Sequence, residues 1–567
     1  MAVADGESTT SGTSAIHRAR GWFFGIVAAY AATILVALRH LRYGVDVWDE
    51  GFYVALAYRF IRGDVAIRDE IDPHQFGSLL ASPLYAAFLS VTHSTRGIIF
   101  FARASYLLIT LCVVVAIIHA LGPVIGRRLA AVVCVPLVIF APMGIMGLSY
   151  NSIAALGFVL SCVWATRVAL GGPRWMAVAS GVASGVCVVA YPAMIVAAVA
   201  LQGSLAWTLV RRKERGAWLG PLGLAAVGAV ALLGLLWVGL AQVAQFYRVV
   251  NLDSIWMGGL PKLLQLAYFT GGELVAWPVP WLLAGVAVVL MRRRPAVSRL
   301  LLVLAAGATV LGPPSDRPLD PVTWSSNPAV AWGVVALVLF VGVRARPIAR
   351  TVLVFLVVPS IVATVCMSYS SALGLEVAGQ GMLGAVLAAG VFSAWTAGVE
   401  PGSDADGVPG VVAAVVVLVF LLGTGAIWWQ TPRHDLSPSQ LTARVDGGPW
   451  DGLYTIPARA EHLEDLQQRL GHDGPVDERA VLMSGAPGVY LILQSRIGNK
   501  LLWMTQPGPT RTYAVDQMYA AAPPDLVLDD TYLERPVAAN DVLRVYLDRE
   551  GFSTAEQGPN FVVYRAP

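Results

Sequence analysis

The chain has 567 residues, of which 56% are hydrophobic and only 13% are charged. Ordinary soluble domains carry about a quarter charged residues, so this composition excludes a soluble globular protein and predicts an integral membrane protein. The formal net charge is +3. Its basic residues are spread through short loops, so no nucleic-acid partner is expected. All five cysteines lie in apolar segments, which indicates neither a disulfide framework nor a thiolate metal site.

The N-terminal residues 1–20 are rich in Ser, Thr and Gly, which predicts a disordered cytoplasmic start. Residues 21–41 form an apolar run of about twenty residues, long enough to span a bilayer and too long for a signal-peptide core. Twelve further apolar segments predict spans at 97–121, 129–147, 151–169, 175–191, 193–210, 217–240, 273–291, 297–312, 328–343, 351–367, 379–397 and 410–428. The transmembrane domain is therefore expected over residues 21–428, with about thirteen helices.

Basic clusters fall in alternate connections between the predicted spans. They lie at 127–128, 167–174, 211–215, 292–294 and 344–350. Cytoplasmic loops of membrane proteins carry an excess of Lys and Arg, so this pattern predicts a multi-pass protein of the cytoplasmic membrane with a cytoplasmic N-terminus. The loop 42–96 and the tail 429–567 are then expected on the outer face.

The tail 429–567 changes composition at once, becoming charged and punctuated by Gly and Pro. Short apolar runs predict strands, and amphipathic stretches predict helices near 459–470 and 541–549, the second opened by an Asn540–Asp541 cap. The predicted strands are at 481–483, 489–493, 526–528 and 561–564. The expected fold class is an α-helical polytopic membrane protein with a small extracytoplasmic α/β C-terminal domain.

The long connection 42–96 concentrates acids, aromatic residues and arginines. Structureless connections of this length are uncommon in compact domains and are usually functional, so this loop is the candidate active site. Within it, 52–61 predicts a short helix lying along the membrane surface, too short to span. Ser82 and Pro83 resemble an N-cap and first helical position, which predicts a second short helix over 84–91.

The acids Asp49 and Glu50 open the first of these helices. A carboxylate at the membrane surface can accept the proton of an incoming hydroxyl while a lipid phosphate leaves the adjacent carbon. The leaving phosphate needs cationic or hydrogen-bonding partners. The candidates for binding the substrate or the donor phosphate are Arg59, Arg62, His74, Arg103, Arg248 and Lys262. Arg103 lies inside the second predicted span, where a charge is costly and usually functional.

The layout of the chain resembles the GT-C glycosyltransferases. It has a first span, a long outer loop that opens with an Asp-Glu pair, many further spans and an outer tail. The nearest branch contains the protein O-mannosyltransferases and the lipid A aminoarabinose transferase. The motif that carries the resemblance is Trp48-Asp-Glu-Gly-Phe-Tyr53, with Gly63-Asp64 closing the helix. The resemblance implies that Asp49 is the catalytic base and Glu50 the neighbouring family acid. It also implies a polyprenyl-phosphate sugar as donor and, usually, inversion at the anomeric carbon.

The chain departs from those two relatives late in the loop, where it has Asp72-Pro-His-Gln75 and Ser82-Pro83 instead of their lysine and paired prolines. The sugar therefore stays open, with mannose and arabinofuranose as the expected candidates for a GC-rich, actinobacterial source. Other GT-C enzymes use a divalent metal. The residues available for one are Asp49, Glu50, Asp72, His74 and Glu376, but no ligand spacing favours a site. A metal-independent reaction with no cofactor is expected.

The prediction is thus a membrane glycosyltransferase that moves one sugar from a polyprenyl-phosphate donor to a cell-envelope glycan, lipid or protein. Asp49 acts as general base with support from Glu50. Two alternatives stay open. A transporter or flippase of lipid-linked sugars is disfavoured because the sequence shows no internal repeat and few acids within the spans. A ligase or polymerase of lipid-linked oligosaccharides shares the membrane setting but carries whole chains on a diphosphate lipid.

Overall fold

The structure is a computed structural model of the chain. It describes residues 10–250, 252, 259–276, 278–311, 321–371, 377–400, 435–483, 485–504, 508–521, 523–533 and 541–567. Up to residue 400 the described chain is built from helices, and after residue 435 it forms a small domain with a mixed β-sheet. The predicted fold class, a multi-pass helical membrane protein with an α/β C-terminal domain, is confirmed.

The helices of the membrane part follow one another with short connections. They are α1 (Thr10–His40), α2 (Asp49–Ile61), α3 (Gln75–Thr92), α4 (Ile98–Ile125), α5 (Arg127–Cys134), α6 (Tyr150–Ala169), α7 (Trp175–Ala190), α8 (Ile195–Arg211), α9 (Leu219–Val238), α10 (Leu240–Val250), α11 (Leu260–Ala276), α12 (Val279–Leu290), α13 (Pro295–Leu311), α14 (Pro321–Val343), α15 (Pro347–Ser370) and α16 (Leu383–Thr396). Helix α15 contains a π-helical turn at Leu353–Val357.

Six of the described helices are long and apolar enough to cross a membrane: most of α1, then α4, α6, α8, α9 and α15. Five shorter apolar helical segments lie in α7, α12, α13, α14 and α16. The span predicted over 129–147 is wrong, because this segment divides into α5 and two 3₁₀ turns at Val135–Ile139 and Pro142–Gly144. Helix α1 begins at Thr10, within the stretch predicted to be disordered. The span predicted over 410–428 lies outside the described residues.

The loop 42–96 contains two helices, as the sequence predicts, but the second begins earlier. Helix α3 starts at Gln75, and Pro83 lies inside it. A proline has no N–H to donate to the carbonyl four residues before it, and for Pro83 this is the carbonyl of Leu79. The Ser82 hydroxyl donates to this carbonyl at 2.8 Å. The Ser82–Pro83 pair therefore continues the helix, and its interpretation as a helix start was wrong.

The C-terminal domain contains a five-stranded sheet in the order β4–β3–β5–β7–β6. A separate two-stranded ribbon pairs β1 (Ala443–Arg444) with β2 (Tyr454–Thr455). The strands of the sheet are β3 (Arg479–Leu482), β4 (Arg496–Ile497), β5 (Leu526–Asp530), β6 (Ser553–Gln557) and β7 (Phe561–Arg565). Strands β3, β4 and β5 are parallel, whereas β7 pairs antiparallel with β5 and β6.

Three helices complete this domain: α17 (Pro457–Leu470), α18 (Pro509–Tyr519) and α19 (Val542–Glu550). The Asp541 carboxylate caps α19 by accepting the N–H of Leu543 at 2.9 Å, which confirms that part of the predicted cap. The strand predicted over 489–493 is wrong, because Tyr490–Leu493 is a helical turn. A short apolar run that is buried on all sides does not distinguish a strand from a helix by its periodicity.

The C-terminal domain lies directly on the loop 42–96, so the two are on the same side of the membrane. The hydroxyl of Tyr58 on α2 donates to the Gln494 carbonyl at 3.0 Å, and the N–H of Gly488 donates to the Val47 carbonyl at 2.9 Å. At Gly51, an added Cβ would stand 2.7 Å from the Cα of Gly488. Helix α2 is therefore buried between the two parts of the protein.

Candidate active site

The first turn of α2 is fixed by the carboxylate of Asp46. Its Oδ1 accepts the backbone N–H groups of Trp48 at 2.9 Å and Asp49 at 3.1 Å, and its Oδ2 accepts that of Glu50 at 3.3 Å. The first N–H groups of a helix have no partner inside the helix, so an acceptor at this position stabilises the helix start. Asp46 is thereby committed to the backbone. It sets the position of the next carboxylate, Asp49, which is half-buried.

Glu50 and Arg103 form a buried ion pair. The Nε and Nη2 atoms of Arg103 lie 2.7 Å and 2.6 Å from the two carboxylate oxygens of Glu50. The same guanidinium also donates to the carbonyls of Leu41, Tyr43 and Gly44 at the end of the first span. Arg103 was predicted to bind donor phosphate, but the structure commits all of its nitrogens to these partners. The pair fixes the start of α2 against α4, so Glu50 is placed to support the helix that carries Asp49.

A row of aromatic rings lies beside this helix start. The ring of Tyr150, at the start of α6, has its centroid 5.9 Å from that of Tyr53 on α2 and 5.2 Å from that of Tyr191. The imidazole of His74 lies 4.6 Å from the Tyr150 ring on a further side. Three separate segments of the chain thus meet at Tyr150.

His74 is held by the carboxylate of Asp72. The backbone N–H of His74 donates to Asp72 Oδ1 at 2.7 Å, and its Nδ1 lies 2.8 Å from the same oxygen. His74 keeps 29% of its side chain exposed and Asp72 keeps 11%. The structure therefore brings the predicted His74 to the Tyr150 ring, which also meets Tyr53, one turn after Asp49 on α2. It adds Asp72, which the sequence offered only as a possible metal ligand.

The rings of Tyr53, Tyr150 and Tyr191 form the aromatic row, and Lys262 lies beyond its Tyr191 end, near Tyr369. Its Nζ donates to the carbonyl of Ser371 at 2.8 Å and lies 5.8 Å from the centroid of the Tyr369 ring. The next residue, Ser370, donates its hydroxyl to the Tyr191 hydroxyl at 3.1 Å. A continuous line of contacts therefore leads from the Lys262 ammonium to Tyr150 and His74. The residues that follow, 372–376, lie outside the described part of the chain.

Arg248 lies on α10, between the membrane part and the C-terminal domain. Its side chain is exposed. The same helix contacts both parts, because Phe246 approaches the ring of Phe76 at 6.5 Å and Gln245 hydrogen-bonds the Tyr513 hydroxyl. An exposed guanidinium here is accessible to an anion at the membrane surface, although no contact ties it to the aromatic row.

Arg59 and Arg62, predicted to bind donor phosphate, instead hold the C-terminal domain. Arg59 is 3% exposed and pairs with Asp64 and Glu70, each at 2.7 Å. It also donates to the carbonyl of Asn499 at 2.7 Å. Arg62 donates to the carbonyls of Gln494 and Val476, both at 2.9 Å. Both side chains lie on the face of α2 that the domain covers, so their observed partners are protein groups and not a phosphate.

Glu70 also takes part in the contact between α2 and the C-terminal domain. Its carboxylate accepts the N–H groups of Ile71 at 3.0 Å, Asp72 at 2.9 Å and Leu502 at 3.2 Å. Complete burial raises the pKa of Glu70 to about 7, against the lowering effect of the Arg59 guanidinium. Glu70 therefore ties the segment that carries Asp72 and His74 to the C-terminal domain.

No group of three or more His, Cys, Asp or Glu residues suitable for a metal ion is found among the described residues. Of the five residues considered from the sequence, Glu50 is held by Arg103 and Asp72 by His74, while Glu376 lies outside the described part. The described cysteines are all free thiols.

Sequence reasoning missed Tyr53, Tyr150 and Tyr191 as site residues. Tyr150 follows Ser149, whose hydroxyl accepts the N–H of Ser152 at 3.2 Å in a capping box. A capping signal directly before a span places the next residue at the membrane surface, so Tyr150 could have been found from the pattern Ser-Tyr-Asn-Ser. Tyr53 closes the Trp48–Tyr53 motif, but it was not named as a site residue. Nothing local marks Tyr191, because aromatic residues at membrane surfaces are common for structural reasons.

No family model matches the chain, and no curated protein matches it in sequence. Among solved structures, it is similar to ArnT from Cupriavidus metallidurans in the apo state, with 16% identity and a TM-score of 0.46 over 96% of this chain and 98% of that one. It is also similar to the Archaeoglobus fulgidus oligosaccharyltransferase in complex with Zn and sulfate, with 12% identity and a TM-score of 0.43 over 89% and 68% of the two chains.

Proposed function

We propose that the protein is a membrane glycosyltransferase that transfers a single sugar from a polyprenyl-phosphate donor to a hydroxyl group of a cell-envelope glycan, lipid or protein. The observation that carries this proposal is the position of Asp49. Its carboxylate stands in the first turn of α2, in a position set by Asp46 and by the Glu50–Arg103 pair, one helical turn before Tyr53, whose ring meets that of Tyr150. The Trp48–Tyr53 motif and its resemblance to the GT-C enzymes support the same function.

This reaction requires three kinds of group in one site. A general base must remove the proton of the acceptor hydroxyl, and Asp49 has that role. Aromatic rings suit the apolar faces of a sugar and the start of a prenyl chain, and Tyr53, Tyr150 and Tyr191 supply them. Cationic groups stabilise the departing phosphate, a role we assign to Lys262 and, at the exposed edge, Arg248.

The reaction is a direct displacement at the anomeric carbon. The acceptor oxygen forms its bond to this carbon from one side while the bond to the phosphate oxygen breaks on the other, which inverts the configuration. The acceptor proton passes to Asp49, and the electron pair of the broken bond stays on the phosphate. We place the site on the outer face of the cytoplasmic membrane, because the basic clusters lie in the opposite set of loops.

The test uses membranes from cells that express the protein at a measured level. Labelled polyprenyl phosphate mannose and polyprenyl phosphate arabinofuranose are offered together with a crude envelope acceptor, and label that leaves the lipid fraction is counted. Membranes without the protein are the control. We expect label in the acceptor fraction only when the protein is present.

Two other results would contradict this function. Label that changes leaflet but stays on the lipid would identify a flippase. Transfer of whole saccharide chains from diphosphate lipids, with none from either monophosphate donor, would identify a ligase or polymerase.

A further inference from the structure

The pair formed by Asp72 and His74 has the geometry of a proton-transfer dyad. Both the backbone N–H and the Nδ1 of His74 meet the same carboxylate oxygen, at 2.7 Å and 2.8 Å. A carboxylate bonded to one ring nitrogen of a histidine fixes the tautomer and orientation of the ring and stabilises the imidazolium when it forms. With Nδ1 bonded to Asp72, Nε2 is the ring nitrogen to which we assign proton exchange with a substrate.

Hydrogen bonds from both sides fix the segment that carries Asp72 and His74. The N–H of Asp72 donates to Glu70, whose carboxylate is buried and tied to Arg59 and to the C-terminal domain. On the other side, Gln75 donates its Nε2 to the Asp72 carbonyl at 2.9 Å and accepts the N–H of Ile67 at 2.8 Å. A binding contact alone would not need this support, whereas a group that must meet a reacting atom does.

The titratable groups around the imidazole come from four segments of the chain. Asp72 and Glu70 precede it on its own segment, and Asp49 belongs to α2. The Tyr150 phenol lies on α6, and the Tyr191 phenol follows α7. The Tyr150 ring meets both the imidazole and the ring of Tyr53, which lies one helical turn after Asp49 on α2. The general base and the dyad are separate groups on separate segments.

We propose that His74, oriented by Asp72, is the catalytic residue that gives a proton to the departing lipid phosphate. This inference rests on the proposed function. The bond between the anomeric carbon and the phosphate oxygen breaks, its electron pair stays on the phosphate, and the proton on Nε2 of the imidazolium passes to the phosphate. The acceptor proton goes to Asp49. Asp49 later releases its proton to water and His74 takes one up, so no other reactant is consumed.

This division of labour agrees with the placement of the cations. Lys262 lies at the opposite end of the aromatic row, so its ammonium acts on the phosphate as a charge at a distance and does not reach the oxygen beside His74. Histidine is the side chain whose charge ordinarily changes between about pH 5 and 8, so it can supply a proton at neutral pH and recover it. The dyad thus adds the acid to a site in which Asp49 is the base.

The test compares the full-length wild type with His74→Gln and Asp72→Asn in liposomes, using the mannosyl or arabinofuranosyl phosphate lipid that the wild type accepts. His93→Gln is the matched control, because His93 is exposed at the end of α3 in the same loop. We measure kcat, KM and the pH profile of kcat. Thermal unfolding of each variant establishes that it is folded.

For His74→Gln we expect kcat to fall about 10²-fold, the scale of a lost general acid, with little change in KM. Wild-type kcat should decline on the alkaline side as His74 loses its proton, and this decline should be absent from the glutamine variant. In Asp72→Asn the ring loses the carboxylate that orients it, so kcat should also fall, with little change in KM. His93→Gln should behave as wild type.

The proposal is overturned if a folded His74→Gln variant keeps wild-type kcat, or if it keeps the alkaline decline. A raised KM with unchanged kcat would also overturn it, because His74 would then only bind the donor. These outcomes are distinct from failure of the proposed function, in which the wild type itself transfers no sugar from either lipid and the role of the dyad is lost with it.

Discussion

Replacing Arg103 with methionine removes one partner of the buried Glu50–Arg103 pair and keeps the length of the apolar stem. The arginine is 6% exposed and donates both to Glu50 and to three carbonyls at the end of the first span. Removing one partner of a buried ion pair costs about 3–5 kcal/mol, since the other charge stays buried. We expect Arg103→Met to lower the free energy of unfolding by about 4 kcal/mol.

A double-mutant cycle separates the pair from the rest of the change. Glu50→Gln alone should cost less, because the guanidinium keeps its three carbonyl acceptors. The double variant Glu50→Gln/Arg103→Met should cost about 1–3 kcal/mol less than the sum of the single changes, because no charge is then left buried.

Unfolding equilibria in mixed detergent–SDS micelles measure these differences. The control is Arg248→Met, an exposed arginine on α10 that should stay within about 0.5 kcal/mol of wild type. An Arg103→Met variant within about 1 kcal/mol of wild type, or strictly additive single changes, would refute the reasoning.

Two further predictions concern the contacts around the site. In Gly77→Ala the new Cβ would stand 2.2 Å from the backbone nitrogen of Tyr150, so the start of α6 must shift, and we expect at least a tenfold loss of kcat in sugar transfer. The control Gly228→Ala, with nothing within 4 Å of its new Cβ, should leave kcat unchanged. Equal rates in both variants would contradict the role of Tyr150. The pKa of Glu70 is raised from 4.5 to about 7 by burial, so its contribution to stability is fully present below pH 4.5 and is lost as the pH rises to about 7. Between these pH values the wild type should lose about 3 kcal/mol of unfolding free energy relative to Glu70→Gln, and parallel pH curves for the two proteins would contradict this assignment.

Hydrophobicity alone predicted much of the fold. Most of the described helices up to residue 400 follow from apolar segments long enough to cross or enter the membrane, and the α/β character of the tail follows from its short apolar runs. The exceptions have local causes. The segment 129–147 is as apolar as a span, yet Pro136 and Pro142 divide it into short turns.

The candidate site was predicted in part. The sequence places Asp49, Glu50 and His74 in one loop, but it does not show that Glu50 meets Arg103, which is 53 residues away along the chain. Arginines in a loop were expected to face an anionic substrate. Arg59 and Arg62 instead face the C-terminal domain, whose contact residues lie more than 400 positions further on. Such pairings depend on tertiary structure and leave no local pattern in the sequence.

The central claim is that the Asp49 carboxylate removes the acceptor proton, and one rate comparison tests it. Wild type, Asp49→Asn and Asp477→Asn are assayed at equal abundance with the donor lipid that the wild type uses. The last variant makes the same chemical change at an exposed carboxylate of the C-terminal domain, where 88% of the side chain is accessible. We expect Asp49→Asn to lose at least about 10²-fold in kcat while remaining folded, the scale of a lost general base, and Asp477→Asn to match wild type. Equal rates in Asp49→Asn and wild type would contradict the account.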